Sequence, residues 1–88
     1  MAGKEKGKMD KQFVIHLDSL KKIKWFVNEA SKLDSDVDIQ CGRYTIDGKS
    51  IMGIFGLDTS KPLTVILRGR TEEEVKTFES IIEKIENE

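Results

Sequence analysis

The sequence predicts an α+β fold of order β-α-β-β-α-β-α, with four short strands in one sheet covered on one face by helices. Three observations carry this. Apolar and polar residues alternate in short segments of strand length, apolar residues recur at three- and four-residue steps in two longer segments, and Gly, Asp or Pro stands at the joins. The strands are too few and too short to close a barrel. A ferredoxin-like arrangement opens with the same element order and is the alternative that pattern alone leaves standing.

The first strand is predicted over Gln12 to Leu17, where Phe13, Ile15 and Leu17 share one face and Val14 and His16 the other. Asp18 or Ser19 then caps an amphipathic helix of about 13 residues with the apolar stripe Leu20, Ile23, Phe26, Val27, Ala30 and Leu33. Val37, Ile39 and Cys41 alternate with Asp36, Asp38 and Gln40. Gly42-Arg43 turns this strand into a short partner from Tyr44 to Ile46. After the turn at Asp47-Gly48, Ser50 stands where its side-chain oxygen accepts from the free N–H groups of a short helix, Ile51 to Leu57, which Gly53 and Gly56 keep brief. Leu63 to Arg68 is a β-rich run that follows Pro62. Thr71-Glu72-Glu73-Glu74 fits a capping box, and Val75, Phe78, Ile81, Ile82 and Ile85 mark the inner face of the last helix.

Composition narrows the function. At 88 residues the chain makes one domain, in which folding buries about 60 to 65% of the unfolded surface, so no cleft for a large cofactor is expected. A net charge of -1 from 15 basic and 16 acidic residues argues against a nucleic-acid binder, which needs a clustered positive face. The expected partner is a protein. The single Cys41 excludes an internal disulfide and any cysteine zinc site, and it alternates inward as a core residue. There is neither a signal-peptide apolar core nor a membrane span, and a cytoplasmic location follows. Residues 1–11, with Lys4, Lys6, Lys8 and Lys11 and almost nothing apolar, read as a disordered basic arm or a remnant of the expression vector, leaving a domain over 12–88.

The run Gly48-Lys49-Ser50-Ile51-Met52-Gly53-Ile54-Phe55-Gly56-Leu57 sets a serine at a helix start beside three bulky apolar residues. It resembles the regulatory serine segment of HPr, the histidine phosphocarrier family of the bacterial sugar phosphotransferase system. Ala30 to Val37 is similar to the family's link between first helix and second strand, and Lys61 to Leu67 to its last strand, so the resemblance covers roughly residues 24 to 85. It implies an open-faced β-sandwich with a four-stranded antiparallel sheet. In HPr proteins of low-GC Gram-positive bacteria the matching serine is phosphorylated by an ATP-dependent kinase/phosphorylase, and neighbouring apolar residues dock partners. The resemblance therefore implies phosphorylation at Ser50 and partner binding through Ile51, Met52 and Phe55. Lys21 stands for the family's arginine and joins that set, although lysine lacks the planar fork that pairs bidentately with carboxylates.

The family's phosphorylatable histidine, in a His-x-Arg-Pro context, has no counterpart in Asp18-Ser19-Leu20-Lys21-Lys22-Ile23. Its position falls on Ser19, or is deleted if the loop is about three residues shorter. In this the chain is closest in pattern to the histidine-lacking catabolite-repression HPr paralogue. The implied role is regulatory and not enzymatic: carbon catabolite control through Ser50, with an HPr kinase/phosphorylase and a LacI-type catabolite control regulator as partners. Two rivals remain, a phosphoryl relay through His16 and an unmodified binding module in which Ser50 is only a cap.

Each of these residues also has a plain structural role. Ile51, Met52 and Phe55 form an i, i+1, i+4 set that suits a core as well as a docking patch. His16, without the Arg-Pro that follows the family's active histidine, reads as a surface strand residue. Gly48-Lys49-Ser50 mimics the end of a P-loop, but the required first glycine falls on Arg43, so that motif is rejected. Trp25 with Lys21, Lys22 and Lys24 makes a basic, aromatic face on the first helix that reads as solvated.

Overall fold

The structure, a computed structural model, describes residues 9–87. The elements are β1 (Asp10–Ile15), α1 (Leu20–Ala30), β2 (Asp36–Cys41), β3 (Tyr44–Asp47), α2 (Ile51–Phe55), β4 (Leu63–Arg68) and α3 (Glu72–Glu86). The strands form one antiparallel sheet of order β1-β4-β2-β3. The element inserted between β1 and β2 is β4, whereas a ferredoxin-like sheet would put β3 there. The open-faced arrangement is the one adopted.

Period-two alternation decides what each strand buries. Leu63, Val65 and Leu67 of β4 face inward with Ile15, Val37 and Ile39. Against this face lie Phe26 and Ala30 of α1, Ile54 of α2 and Val75, Phe78, Ile82 and Ile85 of α3. The Phe78 ring ties the layers together, lying 5.6 Å from Phe13 of the sheet and 6.0 Å edge-on from Phe26 of α1. On the open face, Arg68 sits between Asp10 at 3.1 Å and Asp38 at 3.3 Å. The hydrogen bonds it donates, that to Asp10 foremost, hold its guanidinium above the ordinary arginine range.

The first strand departs from expectation. It begins at Asp10 and ends at Ile15, two residues earlier than the alternation suggested. Asp10 and Lys11, assigned above to a basic arm, pair with Arg68 and Leu67, and Met9 packs on the core while its carbonyl accepts from Gly69 N–H at 3.2 Å. The rest of that arm, residues 1–8, lies outside the described residues, as does Glu88. The ladder stops at Ile15↔Leu63 because the next partner would be Pro62, which has no N–H. A shift of two leaves the faces unchanged, so Leu17 is still buried.

In α1 the Ser19 side chain accepts from Lys22 N–H at 3.2 Å, which fixes Ser19 as the cap in preference to Asp18. The helix ends at Ala30, three residues short of Leu33. Turn bonds from Lys32 to Glu29 and from Leu33 to Ala30 still bring Leu33 into the core. Leu20, counted in the buried stripe, is instead 51% exposed in the first turn.

The β2–β3 hairpin turns on Gly42, whose φ of 62° is open to glycine and costly elsewhere. The helix α2 stops at Phe55, with Gly56 as its C-cap, so Leu57 follows it as a half-buried residue. The capping box of α3 is half realised. Thr71 accepts from Glu74 N–H at 3.1 Å, but the Glu74 carboxylate turns away from the cap to the 34–35 loop, accepting from Asp34 N–H and Ser35 N–H at 2.9 Å each.

Candidate functional site

Ser50 sits at the N-cap of α2 in extended conformation, and its Oγ accepts from Gly53 N–H at 3.1 Å. The local chain prepares this position. Asp47 ends β3, its carbonyl accepts from Ser50 N–H at 3.0 Å, and its carboxylate takes Lys49 N–H at 2.9 Å. Gly48 is wedged against the sheet: its N–H bonds Val37 O at 2.7 Å, and a Cβ there would lie 2.6 Å from Val37 Cγ1. Lys49 reaches back to donate to Leu33 O at 2.7 Å. The segment before Ser50 is thus fastened to β2 and to the middle of the α1–β2 loop. No part of the sequence pattern pointed to the Lys49 contact, because it joins positions that lie apart in the chain.

The short helix divides its apolar residues between two environments. Ile54 is fully buried and Leu57 half-buried against the core, while Met52 is 74% and Phe55 49% exposed. Ile51, expected with them in the exposed set, is half-buried and packs on the core. At about 100° per residue, Met52 lies about 200° and Phe55 about 100° round the helix from Ile54 and both turn outward, whereas Ile51, about 60° away, is drawn toward the core. The apolar surface beside Ser50 therefore consists of Met52 and Phe55 with the outer part of Ile51.

The first helix contributes Ser19 and Lys21. Ser19 is exposed with its oxygen committed to the cap, and Lys21 is exposed in the first turn. The helices α1 and α2 touch one another. Exposed Leu20 adds an apolar side chain at the start of α1 that stripe counting had assigned inward. Its position in the first helical turn is the only signal that could have set it apart.

His16 lies just beyond β1 in the connection to α1, not within the strand. The Glu86 carboxylate, from the last turn of α3, accepts from His16 N–H at 3.0 Å and meets Nδ1 at 3.1 Å. The imidazole is half-exposed, and one of its two nitrogens is engaged. Cys41 is half-buried on the inner side of β2. No helix among the described residues is long and apolar enough to cross a membrane.

Comparison with known proteins gives a consistent set of relatives. The family model for the PTS HPr component phosphorylation site matches residues 20–87. Among solved structures, HPr-C-His from Thermoanaerobacter tengcongensis is 28% identical with a TM-score of 0.70, covering 89% of this chain and 97% of that one. The phosphocarrier protein HPr of Bacillus anthracis str. Ames is 24% identical with a TM-score of 0.66, over 86% and 96% of the two chains, and at that identity speaks for the fold. The catabolite repression containing protein Crh of Bacillus subtilis, an intertwined dimer with a swapped domain, is 27% identical with a TM-score of 0.58 over 82% and 85%. No curated protein matches the chain at a significant level.

Proposed function

The chain belongs to the PTS HPr family, and from that membership we propose a regulatory member that has no phosphocarrier histidine and acts through phosphorylation of Ser50 and the apolar surface beside it. Members of this family are phosphoryl-carrying proteins of the bacterial phosphotransferase system that work by contact with its other proteins. The observation that carries the narrower reading is the arrangement of α2. Ser50 holds the cap, Ile54 supplies the helix's share of the core, and Met52 and Phe55 are left facing solvent one turn from the serine hydroxyl.

Transfer of the γ-phosphoryl group of ATP to Ser50 Oγ, with the hydroxyl proton leaving to the kinase and ADP released, adds about -1.5 to -2 charges beside the free N–H groups of α2. The fold holds without the serine hydroxyl as its only anchor, because Asp47, Gly48 and Lys49 fasten the preceding segment. The modification therefore changes what the surface recognises and leaves the domain folded. Lys21, exposed in the first turn of α1, supplies a point positive charge for the partner.

Support against a phosphoryl relay comes from the β1–α1 connection. A phosphoryl group on His16 Nδ1 would replace the contact with Glu86 by a confrontation of two anions. Ser19 holds its oxygen on the helix cap, and a serine phosphate ester is too stable for reversible high-energy transfer. The matched family span begins at Leu20, past both residues.

The partners that fit this reading are an ATP-dependent HPr kinase/phosphorylase and a LacI-type catabolite control regulator in the cytoplasm. The test is binding of the regulator to the protein before and after treatment with ATP and the kinase. Tighter binding after treatment, absent in Ser50→Ala, is expected; equal binding by the treated and untreated forms would overturn the reading.

A further inference from the structure

The basic, aromatic face of α1 lines a groove between that helix and the C-terminal half of α3. Trp25 and Ile85 supply its apolar part, Lys21 and Lys84 stand on its two helices, and Ser80 and Asn87 add neutral polar groups. The groove encloses about 520 Å³, the size of a small-molecule site. Two further charged residues line it. Lys22 is compensated by Asp18 at 3.5 Å, and among the described residues Glu83 is the one carboxylate in the wall. Among the described residues Lys21 and Lys84 have no carboxylate within 4.0 Å. Among the described residues, with Lys22 offset by Asp18, the ammonium groups of Lys21 and Lys84 against the Glu83 carboxylate leave the groove with one net positive charge.

We propose that this groove binds a small anion bearing a flat ring, of the mononucleotide type, with the ring against Trp25 and the anionic group held between Lys21 and Lys84. An aromatic wall favours a ring, and stacking on such a side chain is tolerant of ring identity. Ammonium groups bind phosphate as point charges without demanding a fixed approach. The positive end of α1 and the negative end of α3 both border the groove and offset one another, so the ammonium groups of Lys21 and Lys84 supply the attraction for an anion. The amino-terminal residues Lys4, Lys6 and Lys8 carry the wrong sign of charge for a groove lined by lysines. The groove shares only Lys21 with the proposed docking surface.

Trp25 is the only tryptophan, so its indole resonance reports on the groove directly. The full chain, labelled with ¹⁵N, is titrated with AMP, and in separate arms with adenosine and with inorganic phosphate. Saturable shifts at the Trp25 indole and at the Lys21 and Lys84 amides are expected with AMP, with at least tenfold weaker response to either half alone. Lys84→Glu should weaken AMP at least tenfold, and Lys84→Gln is the second variant if the first fails to fold. Phosphorylation of Ser50 should be unchanged in Lys84→Gln, which separates failure here from failure of the regulatory reading. Non-saturating shifts spread over lysines outside the groove, or undiminished binding by the variants, would overturn the proposal. So would a glutamate-rich peptide that displaces AMP and binds more tightly, since the groove would then serve an acidic protein partner.

Discussion

The Glu74 carboxylate in the first turn of α3 takes both the hydroxyl of Ser35 at 2.5 Å and its backbone N–H at 2.9 Å. Ser35 is fully buried, and its oxygen also accepts from Arg70 N–H at 2.9 Å. This pair closes the α1–β2 loop against the start of α3, while Lys49 holds the Leu33 carbonyl from the other side. The loop behind Ser50 is thereby fixed by one anion and one cation.

The hydrogen bond from the Ser35 hydroxyl, then that from Asp34 N–H, hold the Glu74 carboxyl below its ordinary value near 4.5. A carboxyl whose pKa is depressed in the folded state gives stability that is present above the unfolded value and lost as pH falls through the folded one. Thermal melts should show stability declining below about pH 4.5, with a shallower decline in Glu74→Gln. At neutral pH that variant should cost about 1–3 kcal/mol, the range for losing charge-assisted bonds to buried donors. Parallel acid profiles for the two proteins would count against this role.

Ser50→Ala removes the acceptor for Gly53 N–H and should cost about 1 kcal/mol in chemical denaturation. It should also abolish labelling by ATP and the kinase. Intact labelling of the variant would place the target elsewhere.

Gly48→Ala should destabilise, because the added Cβ lies 2.6 Å from Val37 Cγ1 and 3.1 Å from Val37 O, and the backbone oxygen cannot yield as a side-chain tip can. We expect a loss of about 1–3 kcal/mol, the range for overpacking a close-packed site. An unchanged midpoint in denaturant would show that the β3–α2 turn is looser than its geometry.

Replacing Met52 and Phe55 with polar residues should leave the melting temperature nearly unchanged, since Ile54 carries the buried contact of α2. Partner binding should fall several-fold or more, as when an apolar anchor is lost. A double variant that melts many degrees lower would return those side chains to the core.

Element order, β4 and most of the core were legible because alternation and helical periodicity report burial directly. The register of β1 was not, since Pro62, 47 positions beyond Ile15 and just ahead of β4, ends its ladder. Sequence reading placed Ser50 at a helix start from local turn chemistry alone, and the cap is there. It misjudged Ile51, which lies on the same side of its short helix as Ile54, and Leu20, which sits in the first turn of α1 and stays exposed. The Glu74 clamp and the Glu86 contact with His16 join residues 39 and 70 positions apart, and no local pattern encodes them.

The central claim is that this HPr-family chain is modified on Ser50 and not on a histidine. Phosphosite mapping by mass spectrometry, after phosphoenolpyruvate with enzyme I and separately after ATP with the HPr kinase/phosphorylase, tests it most directly. The account predicts no phosphate in the first reaction and a single phosphate on Ser50 in the second. An acid-labile phosphate on His16 in the first, or an unmodified Ser50 in the second, would contradict it.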